Sequence, residues 1–406
     1  MRNDLIVRAL VRGKVESLAK EMSTWEALPR IDKDEEDRIR RAIQPYSHTT
    51  QIGELIVGGV DGTGDFPSLS YSDSFIYVTL AQGTRYQAEP HTGLKEIAPE
   101  LEPLIEFTWI PEDDEKAKDA LDASFEVFAG QTIEEVIRRS DYRILKKRRS
   151  RKSASIEELK SGLIRPHATD SGNIAIQLRS SAELGAALRL VCGDPVPKYV
   201  LLDSTYSLPF VNRAKNSLFF EHLKRLCCVE ARERSVGFFA LSKSHGLPAI
   251  EHIERLAVEV SESKEGGVAE HWFMRIPVRE RDGWELSLVE NRNVPPPGAV
   301  SYLVRFHRNT PVMRLDMDLD YWKNHVEGGS DQATRNNEQR IFEDLDYASH
   351  DQRAYGYPYP IKAGHDRASL TQAERVALRK MIIGEAVSAG MRPQLFRNVS
   401  QATGHG

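Results

Sequence analysis

The stretch LIVGGVDGTGD, residues 55–65, decides how the fold is interpreted. An apolar run of strand character reaches an aspartate, and glycines follow at once. An ionised carboxylate without a partner is costly in an apolar site, so Asp61 is expected at the strand's end rather than in its middle. There, beside Gly62 and Gly64, it can reach a cation or a phosphate while the bare backbone lets a ligand approach. Taken alone, the stretch is more often a strand with an ordinary glycine turn.

A second stretch, KYVLLDST at residues 198–205, repeats this design. Near-continuous apolar runs are typical of strands covered on both faces, which are usually parallel. If the two strands are parallel neighbours, Asp61 and Asp203 lie about 5 Å apart by strand spacing. Two carboxylates at that distance repel each other unless a cation lies between them or one is protonated. The pair therefore favours a metal site over a turn.

A third acid comes from the helix predicted at Ser171–Val191, which stops before Gly193. Glu183 lies at the edge of the apolar stripe of this helix rather than on its open face. With Asp61 and Asp203 it would complete three hard oxygen ligands, a set that suits Mg²⁺ or Mn²⁺ rather than zinc. A rim glutamate paired with Arg179 one turn earlier is equally compatible with the sequence.

The composition is that of a soluble globular protein with one large or two ordinary domains: 406 residues, 40% hydrophobic and 28% charged. The net charge of −5 excludes bulk positive charge as the means of holding nucleic acid, which would need local basic patches or metal ions. Three cysteines without a C-x-x-C pair predict a reducing, cytoplasmic setting with no zinc knuckle. No apolar run approaches the roughly 20 residues of a membrane span, and the N-terminus is not typical of a signal peptide.

The overall pattern predicts an α/β protein with a mixed sheet flanked by helices. Residues 1–50 are expected to be a helical lead-in that either makes a subunit or partner contact or packs back on its own domain. Residues 112–165 have the charged, helical character of an insertion. They include the basic run KKRRSRK at 146–152, which fits a solvated charge run or a phosphate-contacting arm. The main domain is then expected over 51–387, with a loosely ordered tail at 388–406.

Runs of β-branched and aromatic residues with turn signals at both ends predict the other strands. The second strand, Ser74–Leu80, is expected to close at Gln82-Gly83 and to form an antiparallel hairpin with the first. Further strands are predicted at Leu104–Ile110, Val236–Ser242, His271–Val278, Ala299–His307 and Val312–Asp316, and further helices at Asn212–Arg234 and Thr371–Ala389.

Two isolated features are ambiguous. Lys243 follows a predicted strand, where a lysine can neutralise substrate charge or be an ordinary surface residue. Asp316, Asp318 and Asp320 alternate as in a calcium loop but lack its glycine and distal glutamate. We therefore expect the three aspartates in a helix start or an exposed loop.

The stretch AYGYPYPIKAGHD, residues 354–366, carries Tyr-Pro pairs that favour extended or polyproline-like backbone. His365 is expected just before the helix Thr371–Ala389. A neutral histidine there can bind a metal or carry a proton, although capping a helix is its commoner role.

In this order, the features resemble the NurA nuclease family, whose fold is a variant of the ribonuclease H fold. The resemblance covers about residues 50–385. Its motifs are VDGT at 60–63, Glu183 about twenty residues before LLDS at 201–204, LSKS at 241–244, and GYPYPI at 356–361 leading to Gly364-His365. The ordered set is fairly specific, and the last segment is its strongest part. Two features depart from the family pattern: Thr63 stands where serine is commoner, and the insertion is long.

The resemblance implies a site and a function. Metal-site positions of the family are matched by Asp61, Glu183, Asp203 and His365, and further active-site positions by Lys243 and Tyr357. NurA proteins resemble one another in being dimeric, manganese-dependent DNA nucleases with 5′→3′ exonuclease and single-strand endonuclease activity. They work with a hexameric HerA-type DNA-translocating ATPase. The expected ligands and partners are thus DNA, manganese or magnesium, a HerA-type ATPase and a second copy of the chain, in DNA end processing or phage defence.

Three other readings share the opening stretch. Haloacid-dehalogenase phosphatases need a nucleophilic aspartate two residues before Asp61, where this chain has Gly59. Actin-like sugar kinases need a second phosphate loop and an adenosine motif, and neither is convincing here. A DNA-binding scaffold subunit with a decayed site would have lost some of the acids, whereas all of them are present.

Overall fold

The computed structural model describes residues 9–26, 31–48, 53–64, 68–90, 93–142, 171–206, 218–262, 271–290 and 292–397. The basic run at 146–152 and Asp65 lie outside the described residues. The strands are β1 Gln44–Pro45, β2 Ile56–Thr63, β3 Leu69–Tyr71, β4 Ser74–Glu89, β5 Gly93–Glu96, β6 Leu104–Ile110, β7 Tyr199–Leu202, β8 Gly237–Ser242, β9 Trp272–Arg275, β10 Ala299–Arg305, β11 Met313–Asp318, β12 His350–Asp351, β13 Ala354–Tyr355 and β14 Phe396–Arg397.

The described α-helices flank these strands. They are α1 Ala9–Glu26, α2 Lys33–Ala42, α3 Asp114–Ala129, α4 Ile133–Arg139, α5 Ser171–Cys192, α6 Leu218–Glu233, α7 Ile250–Glu262, α8 Arg279–Asp282, α9 Leu319–His325, α10 Asp331–Ala348, α11 Tyr359–Ala368 and α12 Gln372–Ser388. Within the described ranges, no helix is long and apolar enough to span a membrane.

A mixed sheet organises the molecule. β2 pairs antiparallel with β4, and β4 pairs antiparallel with β6. On its other side, β2 pairs parallel with β7, which pairs parallel with β8. The sheet continues antiparallel through β11, β10, β9 and β1. The predicted α/β fold with a mixed sheet flanked by helices is therefore confirmed, as is the antiparallel pairing of the first two predicted strands.

One strand pair is longer than the sequence predicts. β2 continues past Asp61 to Thr63, and β4 runs through Gln82-Gly83 to Glu89. Gly83 makes no turn there, since it lies within β4 and pairs with Val60 of β2. A Cβ at this position would meet the Leu190 side chain of α5 at 3.1 Å. The glycine therefore makes room for a helix packed on the strand. The predicted ends of both strands were wrong because the antiparallel pairing of β2 with β4 runs without a break from Ile56 and Gln87 to Thr63 and Leu80.

The segment predicted as an insertion contributes to the core. Phe125 and Phe128 of α3 are fully buried, and they pack in one cluster with apolar side chains of α5 and α6. Helices of the N-terminal lead-in behave differently from one another: Ile39 of α2 is fully buried, whereas Leu10 and Met22 of α1 are largely exposed. Among the described residues, the lead-in thus packs on its own domain through its second helix and through β1, which pairs with β9.

The C-terminal elements also differ from the prediction. His365 lies inside α11 rather than before the next helix. The Tyr-Pro pair that favours extended backbone instead starts this helix, with Pro360 in its first turn, because a proline there loses no intrahelical hydrogen bond. The described part of the expected loose tail is ordered, since β14 pairs with β3.

Of the three alternating aspartates, Asp316 and Asp318 are buried, whereas Asp320 is partly exposed. Asp316 and Asp318 lie in β11 and are buried at 0% and 2% exposure. Asp316 pairs with Arg314, and Asp318 pairs with Arg225 at 2.7 Å and Arg232 at 2.9 Å. Asp318 does cap α9, as a helix start requires, by accepting from the Tyr321 N–H. The exposed-loop alternative was wrong because buried arginines neutralise these carboxylates.

This network predicts a stability difference within one motif. Asp318→Ala removes one of the two carboxylates that Arg225 and Arg232 share, the other being Asp141. Removing one partner of a buried ion pair costs about 3–5 kcal/mol. Asp320→Ala is the matched control: it contacts Arg232 at 3.3 Å with 39% of its side chain exposed, and such pairs contribute at most about 1 kcal/mol. Urea unfolding of both variants measures the difference. Equal losses would contradict the assignment of Asp318 to the buried network.

Candidate active site

Two carboxylates meet where β2 and β7 run side by side. Val60 is in register with Leu202, and the backbone N–H of Asp203 faces the Val60 carbonyl at 3.4 Å. Asp61 is 7% exposed. Burial raises the pKa of Asp61 and the charge of Asp203 raises it further, while hydrogen bonds from Gly62 and His365 oppose the shift. The predicted adjacency of the two aspartates is present in the fold, and it is electrostatically unfavourable without a cation.

Helix α11 places His365 beside Asp61. It packs directly on β2: a Cβ at Gly59 would lie 2.2 Å from the Pro360 carbonyl carbon, and one at Gly364 would lie 3.2 Å from the Asp61 backbone nitrogen. Thr84 of β4 fixes the start of the helix by donating a hydrogen bond to the Pro360 carbonyl at 2.7 Å. As a result, His365 Nδ1 lies 2.6 Å from Asp61 Oδ2.

Glu183 approaches from the opposite helix layer. It is 5% exposed in α5, and its side chain lies over Gly62, where a Cβ would come within 2.9 Å of Glu183 Cγ. Arg179 Nε lies 3.3 Å from Glu183 Oε1. The pairing of Glu183 with the arginine one turn earlier is therefore present, and the glutamate also lies against Gly62, the residue that follows Asp61.

Lys243 and Tyr357 close the side near Asp203. Lys243 Nζ lies 3.5 Å from Asp203 Oδ2 and 4.2 Å from the centre of the Tyr357 ring. The Tyr357 hydroxyl is buried near Asp203 but makes no hydrogen bond of normal geometry with a described residue. Burial, then the charges of Asp203 and Asp61, raise the pKa of Tyr357 well above its usual value. The hydroxyl thus stays protonated beside Asp203.

The structure brings Asp61, Asp203, Lys243, Tyr357 and His365 together, and Glu183 lies against the adjacent Gly62. The donor chemistry of these residues fits a divalent cation. Three carboxylates and one imidazole are ligands that manganese accepts. The buried, repelling Asp61–Asp203 pair and the unsatisfied Tyr357 hydroxyl are the features that a cation and a phosphate would satisfy. The spacing is open, however: no three of the four predicted ligands place donor atoms within 4.8 Å of one another.

Sequence reasoning missed the residues that position the site. Gly59, Gly364 and Thr84 carry no reactive group, yet they determine how closely α11 approaches β2. The available signal was the Gly58-Gly59 pair inside an apolar strand, since glycine in a strand often marks the close approach of another backbone. Gly59 was interpreted only as the absence of a nucleophile.

The fold is that of the NurA nucleases. The crystal structure of the NurA nuclease from Sulfolobus solfataricus superposes with a TM-score of 0.50 at 12% identity, covering 95% of this chain and 99% of that chain. A crystal structure of NurA with manganese gives 0.37 at 11% identity over 95% and 99% of the two chains, and one of NurA bound to dAMP and manganese gives 0.36 at 12% over 96% and 100%. No family model matches the sequence, and no curated protein matches it either.

Proposed function

We propose that this chain, which has the NurA fold, is a metal-dependent nuclease that hydrolyses phosphodiester bonds in DNA. The observation that carries the proposal is the meeting of Asp61, within β2, and Asp203, directly after β7, where these two parallel strands lie side by side. His365 contacts Asp61, and Lys243 contacts Asp203. A carboxylate pair of this kind needs a cation to be stable in its ionised form. A cation there in turn explains how a protein of net charge −5 can hold a polyanion.

Asp61, Asp203 and Glu183 would hold the metal, with His365 completing the set. A bound divalent ion supplies an acidified water near neutral pH and charge stabilisation for the attacking and leaving oxygens. Manganese and magnesium both suit these oxygen ligands, and the imidazole favours manganese. His365 Nδ1, 2.6 Å from Asp61, orients that carboxylate and can carry a proton.

The remaining residues act on the substrate. Lys243 offsets negative charge that develops on the phosphoryl oxygens, and Tyr357 donates its buried hydroxyl to a phosphate oxygen. Arg179 holds Glu183 in place beside Gly62. These roles need the side chains together at one edge of the sheet.

The proposal is tested by incubating the full chain with end-labelled single- and double-stranded DNA in Mn²⁺, in Mg²⁺ and in EDTA. We expect cleavage in Mn²⁺ and none in EDTA. Absence of cleavage with DNA binding retained would favour the scaffold-subunit alternative. Calorimetric ATP binding without cleavage would favour the actin-like kinase alternative.

Lys243 provides a specific prediction. Lys243→Met should lower kcat for DNA cleavage about 100-fold, the usual cost of losing one group that stabilises transition-state charge, while Lys243→Arg should retain part of the rate. Lys95→Met is the control, because Lys95 is a surface lysine that contacts only Glu89 in an exposed ion pair. Similar rates for Lys243→Met and Lys95→Met would remove Lys243 from the reaction.

The finer properties follow from the family resemblance. We propose 5′→3′ exonuclease and single-strand endonuclease activity, a homodimer, and a HerA-type hexameric ATPase as partner in DNA end processing or phage defence. One surface supports association with another chain: Ile105, Phe107 and Trp109 of β6 are 46–54% exposed and lie on one face of the strand. Such a contiguous apolar strip is typical of an interaction surface.

A further inference from the structure

Outside the site described above, three histidines surround one buried carboxylate. Asp346, near the end of α10, has no exposed surface. Its Oδ2 lies 2.6 Å from His48 Nδ1, and its Oδ1 lies 2.8 Å from His271 Nδ1 and 3.4 Å from His350 Nδ1. The His48 and His350 ring centres are only 4.0 Å apart. These four side chains form the histidine cluster.

The fold assembles the histidine cluster from distant parts of the chain. His48 follows β1 and His271 precedes β9, and these two strands pair with each other. Tyr46 N–H donates to the His271 carbonyl at 3.2 Å, which holds the two segments together. Asp346 and His350 are four residues apart at the end of α10 and the start of β12. Their convergence is therefore a property of the tertiary structure rather than of one local motif.

Several buried polar atoms in the histidine cluster and at the neighbouring Tyr46 lack a hydrogen-bond partner among the described residues. Asp346 Oδ1, His271 Nδ1 and the Tyr46 hydroxyl have no hydrogen-bond partner of normal geometry among the described residues. Asp346 Oδ1 and His271 Nδ1 are close, but they are not aligned for a hydrogen bond. A buried carboxylate oxygen without a partner is costly, and a cation bound to it removes that cost.

We propose that Asp346, His48 and His350 form a second cation site that takes a zinc-class transition metal ion. The candidate ligand atoms of these three residues all lie within 4.8 Å of one another. Two imidazoles and one carboxylate favour zinc and its neighbours over magnesium or calcium, which prefer oxygen ligands alone. His271 Nδ1 lies beside the site, 2.8 Å from Asp346 Oδ1, but it does not satisfy that oxygen.

The second site would stabilise the segment that supplies the proposed active site. His350 pairs with Tyr355 in the β12–β13 ribbon, and Gly356 N–H donates to the Ser349 carbonyl at 2.6 Å. Tyr357 follows immediately, and α11 begins two residues later. An ion held by His350 therefore fixes one end of this segment, while the contact of Tyr357 with Lys243 fixes the other.

The test uses the full chain without a histidine tag, carrying Asp61→Asn and Asp203→Asn so that the proposed active site contributes little metal binding. Zinc titration followed by calorimetry, and metal analysis after gel filtration, give affinity and stoichiometry. We expect one zinc ion per chain and a rise in the thermal midpoint when zinc is added. No binding, or binding without such a rise, would overturn the proposal.

Variants assign the ion to the histidine cluster. His48→Gln and His350→Gln should each weaken zinc binding at least about 10-fold, as loss of residues at a metal site does. His325→Gln is the matched control, because His325 is an exposed histidine stacked on Tyr321. The His48 side chain is 31% exposed, so His48→Gln is expected to fold. Unchanged zinc affinity in His48→Gln would overturn the assignment. Since no readout is DNA cleavage, failure of this proposal and failure of the proposed nuclease function are distinguishable.

Discussion

Replacing Asp61 by asparagine is expected to lower kcat for DNA cleavage at least about 1,000-fold, because it removes a metal ligand and the partner of His365 at once. The amide keeps the size of the side chain and can still accept the Gly62 N–H, which lies 2.7 Å from Asp61 Oδ1. The variant should therefore lose chemistry rather than structure. Cleavage of labelled DNA in Mn²⁺ measures the loss.

Asp61→Asn should lower the rate of cleavage without lowering the free energy of unfolding. Burial and the charge of Asp203 raise the pKa of Asp61 above its ordinary value of 3.8. A raised folded-state pKa means that Asp61 favours the folded state in its protonated form, below its ordinary pKa. This contribution is lost as the pH rises through the raised value. At pH 7 in EDTA, the variant should thus unfold at no lower urea concentration than the wild type, and its stability should depend less on pH above 3.8.

Asp73→Asn is the control, because Asp73 is exposed in the turn before β4. It should leave both cleavage and unfolding unchanged. Cleavage by Asp61→Asn at the control's rate would remove the central claim about the site. A large loss of stability at pH 7 would instead show that the Asp61 carboxylate is a structural group, and the loss of activity would then carry no information about catalysis.

The sequence predicted the parallel pair at the centre of the site because the pattern is a physical one. A strand buried on both faces must be apolar throughout, so Val57–Val60 and Tyr199–Leu202 stand out, and an aspartate close to the end of each run is conspicuous. The adjacency of Asp61 and Asp203 follows directly from the pairing of those runs. This part of the site required no knowledge of side-chain packing.

The placement of His365 could not be predicted in the same way. Tyr-Pro pairs favour extended backbone, but a proline is equally acceptable in the first turn of a helix, and the choice depends on what the segment packs against. Here it packs against the bare backbone of Gly59. Likewise, the burial of Asp318 depends on Arg225 and Arg232, which lie far away in the sequence. Neither the packing of α11 on Gly59 nor the ion pairs of Asp318 can be recognised from the neighbouring residues in the sequence.

Gly59→Ala should disrupt the site although Gly59 itself carries no reactive group, because it displaces the helix that carries His365. An added Cβ would lie 2.2 Å from the Pro360 carbonyl carbon and 2.3 Å from the Ile361 nitrogen, and both are backbone atoms that cannot rotate away. Helix α11 must then move off β2. Overpacking of this kind costs about 3 kcal/mol, and a displacement of about 1 Å at a catalytic group costs about 100-fold in rate.

The neighbouring residue supplies the control for this variant. Gly58 lies in the same strand but faces the other helix layer, where an added Cβ would meet the Leu190 Cδ1 atom at 3.3 Å. That contact is with the end of a flexible side chain, so Gly58→Ala should cost about 1 kcal/mol or less and retain cleavage. Urea unfolding and DNA cleavage, measured for Gly59→Ala and Gly58→Ala, distinguish the effect of the β2 face that contacts α11 from that of the face that contacts α5. Equal losses in both variants would mean that glycine is needed by the strand itself, and that Gly59 does not set the position of α11 and His365.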